Sequence, residues 1–264
     1  MIAALPMYSP PIEAVEQFWG AVAADLQPTV DFVVPAALTW PSDYPGHWVA
    51  PDLLLSQTCG YPLTHALQGR VQLVGTFAYG VPGAQGIDCR SQLICRAGDA
   101  RQSLADFAGS TLAFNSTDSQ SGYNALREQV ARETAQRPFF RHSIATDSHR
   151  QSIECVRQGL ADMASIDAVT WALWCEAQPQ RAAALRVFGQ TGAYPGLPLV
   201  TSLQTPDAVL QALRQSLLRA ATDPTFAALR APLKITGFAV TTLADYARCL
   251  QMEANALSSG LQAL

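Results

Sequence analysis

Residues 115–122, Asn115-Ser116-Thr117-Asp118-Ser119-Gln120-Ser121-Gly122, are a run of small polar side chains that leads into a helical sequence beginning with Tyr123-Asn124-Ala125-Leu126-Arg127. Upstream, Ser110-Thr111-Leu112-Ala113-Phe114 reads as a short buried strand. A strand, a hydroxyl-rich turn and a helix start make a cradle for an anion. Backbone N–H groups at a helix N-terminus lack internal partners, and the helix dipole favours negative charge there by about 0.3–1 kcal/mol. Ser119 and Ser121 add hydroxyl donors, and Gln120 lies between them. The same residue types also cap ordinary helices, so the segment alone leaves both roles open.

Further candidates lie where other strands end. Tyr8 follows the first strand, Ile2-Ala3-Ala4-Leu5. Ser56, Gln57 and Thr58 follow Asp52-Leu53-Leu54-Leu55, and Gly60 lets the backbone come close. His149 begins a helix after Thr146-Asp147-Ser148, and Asp167 closes the strand Met163-Ala164-Ser165-Ile166. Each has a plain structural alternative: a packed aromatic for Tyr8, turn residues for Ser56 and Thr58, a residue near a cap for His149, an N-cap for Asp167.

The elements that must position these residues alternate. Helical periodicity covers 11–26, with Ala14, Val15, Phe18, Trp19 and Val22 on one face. Strands are expected at 30–34, 71–79, 90–95, 139–145, 185–191, 199–202 and 234–240. Further helices are expected at 121–133, 148–158, 168–175, 207–220 and 243–257, with a turn-rich loop over 40–48. Alternating β and α elements predict an α/β fold with mostly parallel sheets flanked by helices. Two Pro/Gly-rich stretches, near 80–90 and 192–198, bracket a central block. The expected layout is lobe one from 1–86 plus 198–264 and lobe two from 87–197, with two hinge crossings and ligand bound between the lobes at strand C-terminal ends.

In 264 residues, hydrophobic types make up 49% and charged types 14%, a globular composition. The net charge is −4 and Lys234 is the single lysine, so nothing suits nucleic acid. No segment has the length and apolarity of a membrane span. Met1 to Tyr8 has no basic n-region and Pro6 breaks its apolar run. The chain as given therefore reads as cytoplasmic, or as a mature form whose leader was removed. Six cysteines follow no zinc pattern and read as buried thiols in a reducing compartment, with Cys89 and Cys95 the pair to watch for a disulfide. No metal or other cofactor is expected.

The chain resembles the phosphonate-binding family of type II periplasmic binding proteins, the solute receptors of phosphate, phosphite and phosphonate importers. The resemblance rests on Leu5-Pro6-Met7-Tyr8, on residues 52–60, on Leu104-Ala105-Asp106-Phe107-Ala108-Gly109 and on residues 115–122. It continues through His149 with Ile153 and Val156, residues 159–167, and Pro195-Gly196-Leu197-Pro198. It implies a two-lobed fold with hinge closure. Ser119, Ser121 and nearby amides would hold the oxyanion and His149 would donate to it, with a charge that titrates near neutrality. Asp167 would meet a ligand amine, and Tyr8, Ser56 and Thr58 would close the other side. The family's turn often has consecutive hydroxyls, whereas Gln120 separates the serines here.

The implied function is non-enzymatic capture of a small oxyanion for an ABC-type importer and its permease, or cytoplasmic sensing. One alternative is a larger organic ligand, a sulfonate or pyrimidine, against Trp40, Tyr44, Trp48, Tyr79 and Trp171. Another is an enzyme on the same scaffold using Cys59 as nucleophile beside His149.

Overall fold

The computed structural model describes residues 1–8, 11–134 and 138–264. In chain order the principal strands are β1 (Ile2–Ala4), β2 (Leu53–Gln57), β3 (Val71–Tyr79), β4 (Ser91–Arg96), β5 (Thr111–Phe114), β6 (His142–Ala145), β7 (Met163–Asp167), β8 (Leu185–Gln190), β9 (Pro198–Ser202) and β10 (Ile235–Ala239). The principal helices are α1 (Ile12–Leu26), α2 (Ala125–Glu133), α3 (His149–Arg157), α4 (Ala168–Ala177), α5 (Asp207–Thr222) and α6 (Ala247–Ser258).

The chain divides into two compact units. Unit 1 contains Met1–Gly80, Gln85–Ile87 and Pro195–Asp245; unit 2 contains Val81–Ala84, Asp88–Tyr194 and Tyr246–Leu264. The expected layout gave 198–264 to the first lobe. In the structure the last part of that stretch, from Tyr246, groups with unit 2, because one face of α6 and the residues after it pack on α2 and its approach.

Unit 1 is built on a five-stranded sheet of order β1-β2-β9-β3-β10. β1 and β2 are parallel, while β9 runs antiparallel to β2 and β3, and β10 antiparallel to β3. Helix α1 buries Val15, Phe18, Trp19, Val22, Ala23 and Leu26, the stripe its periodicity requires. The strand expected at 30–34 does not form. Gln27 claims its backbone instead: Oε1 accepts from Val34 N–H at 2.9 Å, and Nε2 donates to Phe32 O at 2.9 Å. The loop at 40–48 contains a one-turn helix, Tyr44–Trp48, capped by Asp43.

Unit 2 has a five-stranded sheet of order β8-β4-β7-β5-β6. β5 is parallel to β6 and β7, and β4 is antiparallel to β7 and β8. Both sheets are thus mixed rather than mostly parallel. β4 and β9 follow the connecting stretches directly, without the crossover helix that a parallel neighbour requires. Strand alternation sends Leu93, Cys95, Leu112 and Phe114 to one face, with Phe107, Leu126, Val130 and Phe139. Ile94, Ala113, Ala164 and Ile166 go to the other, with Ile153, Val156 and Trp174. Each buried Leu, Ile, Val or Phe among these contributes about 1.5–3 kcal/mol, so the sheet is a firm base for the loops at its edge.

Candidate functional site

β5 and β6 are adjacent and parallel, with Phe114 opposite Ala145. The turns that leave them therefore start side by side. Thr146 fastens one to the other: its N–H donates to Phe114 O at 2.9 Å, and its hydroxyl lies 3.0 Å from the same oxygen. Asp147 then takes a left-handed conformation, φ 63°, which aspartate tolerates better than most residues. Ser148 caps α3 by accepting from Gln151 N–H at 3.2 Å. His149 is the first residue of that helix.

The turn after β5 is wider than an α-helical one. Residues Gln120–Asn124 form a π-helical turn that runs into α2. Asn124 N–H bonds to Ser119 O at 2.9 Å, and Ala125 N–H bonds to Gln120 O. Ser119 is the N-cap, its Oγ accepting from Gly122 N–H at 3.0 Å. The Ser121 carbonyl accepts two hydroxyls, Ser91 Oγ at 2.7 Å and Ser165 Oγ at 2.8 Å. Tyr194 Oη lies 2.7 Å from Ser91 Oγ; the Ser91 proton goes to Ser121, so the tyrosine donates here. With its backbone held, Ser121 places Oγ 2.9 Å from His149 Nε2. Gly122 is required: a Cβ there would overlap Asn115 Oδ1 and lie 3.2 Å from His149 Cε1.

Ser119, Ser121 and His149 are thus brought together. The Ser119 hydroxyl accepts the cap bond, which leaves its proton to donate outward. Two atoms beside this turn, Asn115 Oδ1 and His149 Nδ1, are buried without a hydrogen-bond partner among the described residues. Leaving such groups unmet is unfavourable by about 1–3 kcal/mol each. Burial pushes the His149 pKa down from 6.5 to about 4, so the imidazole is neutral at pH 7 rather than titrating near neutrality. A neutral ring offers one N–H. Either Ser121 donates to Nε2 and Nδ1–H is the outward donor, or Nε2–H donates to Ser121 and the serine hydroxyl points onward.

Other candidates are engaged internally. Gln120 is turned inward, with Nε2 3.2 Å from Met252 Sδ and Oε1 accepting from Asn124 Nδ2 at 2.9 Å. Asp167 is the N-cap of α4, accepting from Val169 and Thr170 N–H at 2.8 and 3.0 Å. Its other oxygen takes the Cys89 thiol at 3.6 Å. Burial, then the Asp167 charge, raises the Cys89 pKa well above its usual value. Cys89 and Cys95 are not joined, and no disulfide links any of the six cysteines.

In unit 1, β1 and β2 pair in parallel, which sets Tyr8 and Thr58 beyond neighbouring strand ends. Tyr8 is buried edge-on against Tyr79, ring centroids 5.1 Å apart. Ser56 is fully buried, 3.1 Å from His47 Nε2, a bond internal to the core. Thr58 Oγ1 is buried and has no partner among the described residues. Of the aromatics, Trp48 donates to Gln57 O at 2.9 Å, Trp40 lies 3.3 Å from Glu16 Oε1, and Trp171 stacks on Trp174. Among the described residues no three His, Cys, Asp or Glu are grouped to hold a metal ion, and no helix is long and apolar enough to cross a membrane.

The supporting hydroxyls Ser91, Ser165 and Tyr194 and the orphan Asn115 oxygen were not legible as site residues. Ser91 opens β4 and Ser165 lies in the middle of β7, positions that carry no local signal of a site.

The His149 environment has a consequence for stability. Between pH 6.5 and about 4 the unfolded chain binds a proton that the native imidazole refuses, so stability falls as pH falls through this window and levels below it. The expected loss is roughly 2 kcal/mol, allowing for the partial exposure of the residue. Asp99, held down to about 2 chiefly by its hydrogen bonds to Arg101, adds a loss only below pH 4. Urea midpoints at pH 7 and pH 4.5 should differ less in a His149→Asn variant than in the parent. Equal differences would show that His149 does not carry the effect.

A family model for the periplasmic substrate-binding protein of phosphonate ABC transporters matches residues 2–246. No curated protein matches the sequence. Among solved structures, PhnD1 of Prochlorococcus marinus in complex with methylphosphonate superposes with a TM-score of 0.77 at 13% identity, covering 98% of each chain. A binding-protein component of an ABC phosphonate transporter from Pseudomonas aeruginosa gives 0.77 at 17% identity, over 98% of this chain and 87% of that one. The Xanthomonas citri protein XAC2383 bound to chloride gives 0.71 at 17% identity over 98% of both. At these identities the structures speak to fold, a type II periplasmic binding protein. The family match spans nearly the whole sequence: the chain belongs to the periplasmic substrate-binding proteins of the ABC phosphonate-transporter family.

Proposed function

We propose that the protein captures a small phosphorus oxyanion, phosphonate- or phosphate-like, and delivers it to the permease of an ABC importer from outside the cytoplasmic membrane. The family supplies the transport role and favours a place outside the cytoplasmic membrane. The observation that carries the ligand class is the meeting of Ser119 and Ser121, in the turn that leads into α2, with His149 at the first residue of α3, beside buried polar atoms that have no partner among the described residues. Oriented N–H groups and neutral donors favour an oxyanion without a counter-charge. Tyr8 and Thr58 are proposed as further ligand contacts on the family resemblance. Cys59 and His149 are not proposed as a catalytic pair, since His149 Nε2 is held by Ser121.

Both oxygens of Asp167 already accept hydrogen bonds, which weakens the pull of this carboxylate on a ligand amine. Methylphosphonate should therefore raise the melting temperature at least as much as 2-aminoethylphosphonate at equal concentration, since a ligand of the folded state stabilises it. Phosphate, phosphite, sulfate and taurine complete the panel. No shift with any of them at millimolar concentration would overturn the reading. Ser119→Ala and Ser121→Ala should each weaken binding by about 1–3 kcal/mol, seen by calorimetric titration. The Ser121 change should leave stability nearly intact, whereas Ser119→Ala also removes a cap.

A further inference from the structure

A π-turn is less favourable than an α-turn of the same residues, and it persists only where neighbouring structure fixes it. The turn that carries Ser121 is fixed from two sides. On one, Ser91 and Ser165 hold the Ser121 carbonyl. On the other stands the chain's last segment. Gln120 Nε2 donates to Met252 Sδ, and Asn124 Nδ2 donates to Cys249 O at 3.0 Å and to Gln120 Oε1. Arg127 donates to Asn124 Oδ1 at 3.3 Å and to Glu253 Oε1 at 3.1 Å, and Leu264 N–H donates to Tyr123 Oη at 3.0 Å. Asn124 is fully buried with both ends of its amide bonded.

We propose that α6 holds the anion turn in its π form, and that Gln120, Asn124 and Met252 are positioning residues for Ser121 rather than ligand contacts. The proposal rests on the oxyanion reading of the same turn. Its mechanism is geometric. Relaxing a π-turn to an α-turn removes one residue from the turn, which rotates the residues before it by about 100° about the helix axis relative to those after. Ser121 could not then keep both the two clamps on its carbonyl oxygen and the bond from its Oγ to His149.

The test uses the full chain with Gln120→Leu, Met252→Leu, the double variant and Asn124→Ala. Three quantities are read: the Kd for methylphosphonate, the pH titration of the His149 ring by NMR, and the melting temperature. Gln120→Leu and Met252→Leu should each weaken binding about tenfold, and the double variant should be no weaker than the weaker single, because one contact is removed in all three. In the same variants the His149 titration should move up from about 4 towards 6.5, as the shifted turn opens the buried ring to water. Unchanged affinity and titration with a lowered melting temperature would overturn the proposal and leave α6 as ordinary packing. If Asn124→Ala does not fold, the other variants carry the test. A parent protein that binds no oxyanion would sink the ligand reading, yet the His149 titration would still report whether α6 sets the turn.

Discussion

Replacing Arg127 by methionine should destabilise the protein by about 3 kcal/mol, one of the two largest effects expected of a single substitution in unit 2. The guanidinium is nearly buried and meets three acceptors on two segments: Gln262 O at 3.0 Å, Glu253 Oε1 at 3.1 Å and Asn124 Oδ1 at 3.3 Å. Methionine fills similar volume but removes the donor that Glu253 Oε1, Gln262 O and Asn124 Oδ1 each receive from Arg127. The figure sits at the low end for a broken buried pair because Glu253 is 20% exposed and water reaches part of it. Lysine should restore only part of the loss, since one ammonium cannot reproduce a fork spread over three acceptors. Urea denaturation of the three proteins measures this directly. A loss below about 1 kcal/mol for Arg127→Met would mean that these contacts are replaced by water at little cost.

Gly122→Ala is expected to act on the site itself. The new Cβ would occupy the position of Asn115 Oδ1 and press on His149 Cε1 at 3.2 Å. Asn115 must swing away, and the ring must shift by a few tenths of an ångström against its bond to Ser121. Overpacking of this kind is unfavourable by about 1–3 kcal/mol. Methylphosphonate affinity should fall at least tenfold, about 1.4 kcal/mol, because the shift acts on donors whose positions set the grip. An Asn115→Ala, Gly122→Ala pair should recover stability by making room, but not affinity if the Asn115 amide is part of the site. Parental affinity in the Gly122→Ala variant would show that the turn is not where the anion sits.

Much of the fold was legible because its signals are local. The stripe of Val15, Phe18, Trp19 and Val22 specified α1, and the alternation of Leu93, Ile94 and Cys95 specified a two-faced strand. The strand-turn-helix at 111–133 was legible for the same reason, though not that Ser119 would be the residue that caps it. What depended on distant partners was not. Val30 to Val34 has strand composition, but Gln27 takes two of its backbone groups and keeps it irregular. Asp167 has the chemistry of an amine partner, but the open N–H groups of the following helix and a thiol brought by another segment satisfy it first. Gln120 sits between two site serines, yet the turn's extra residue and a methionine 132 positions away draw its amide inward. His149 has an ordinary pKa until tertiary burial removes its water.

The interleaving of the two units along the chain bears on biogenesis. A protein emerges N-terminus first, at about 5–20 residues per second. The partners of Asn124, Arg127 and Tyr123 at positions 249, 253, 262 and 264 are made 125 to 141 residues after the groups they meet. A nascent chain halted at Asp245 would have most of both sheets but none of the groups that meet this turn from behind. The turn proposed to grip the ligand therefore takes its final form only after the residues from 249 onward have emerged.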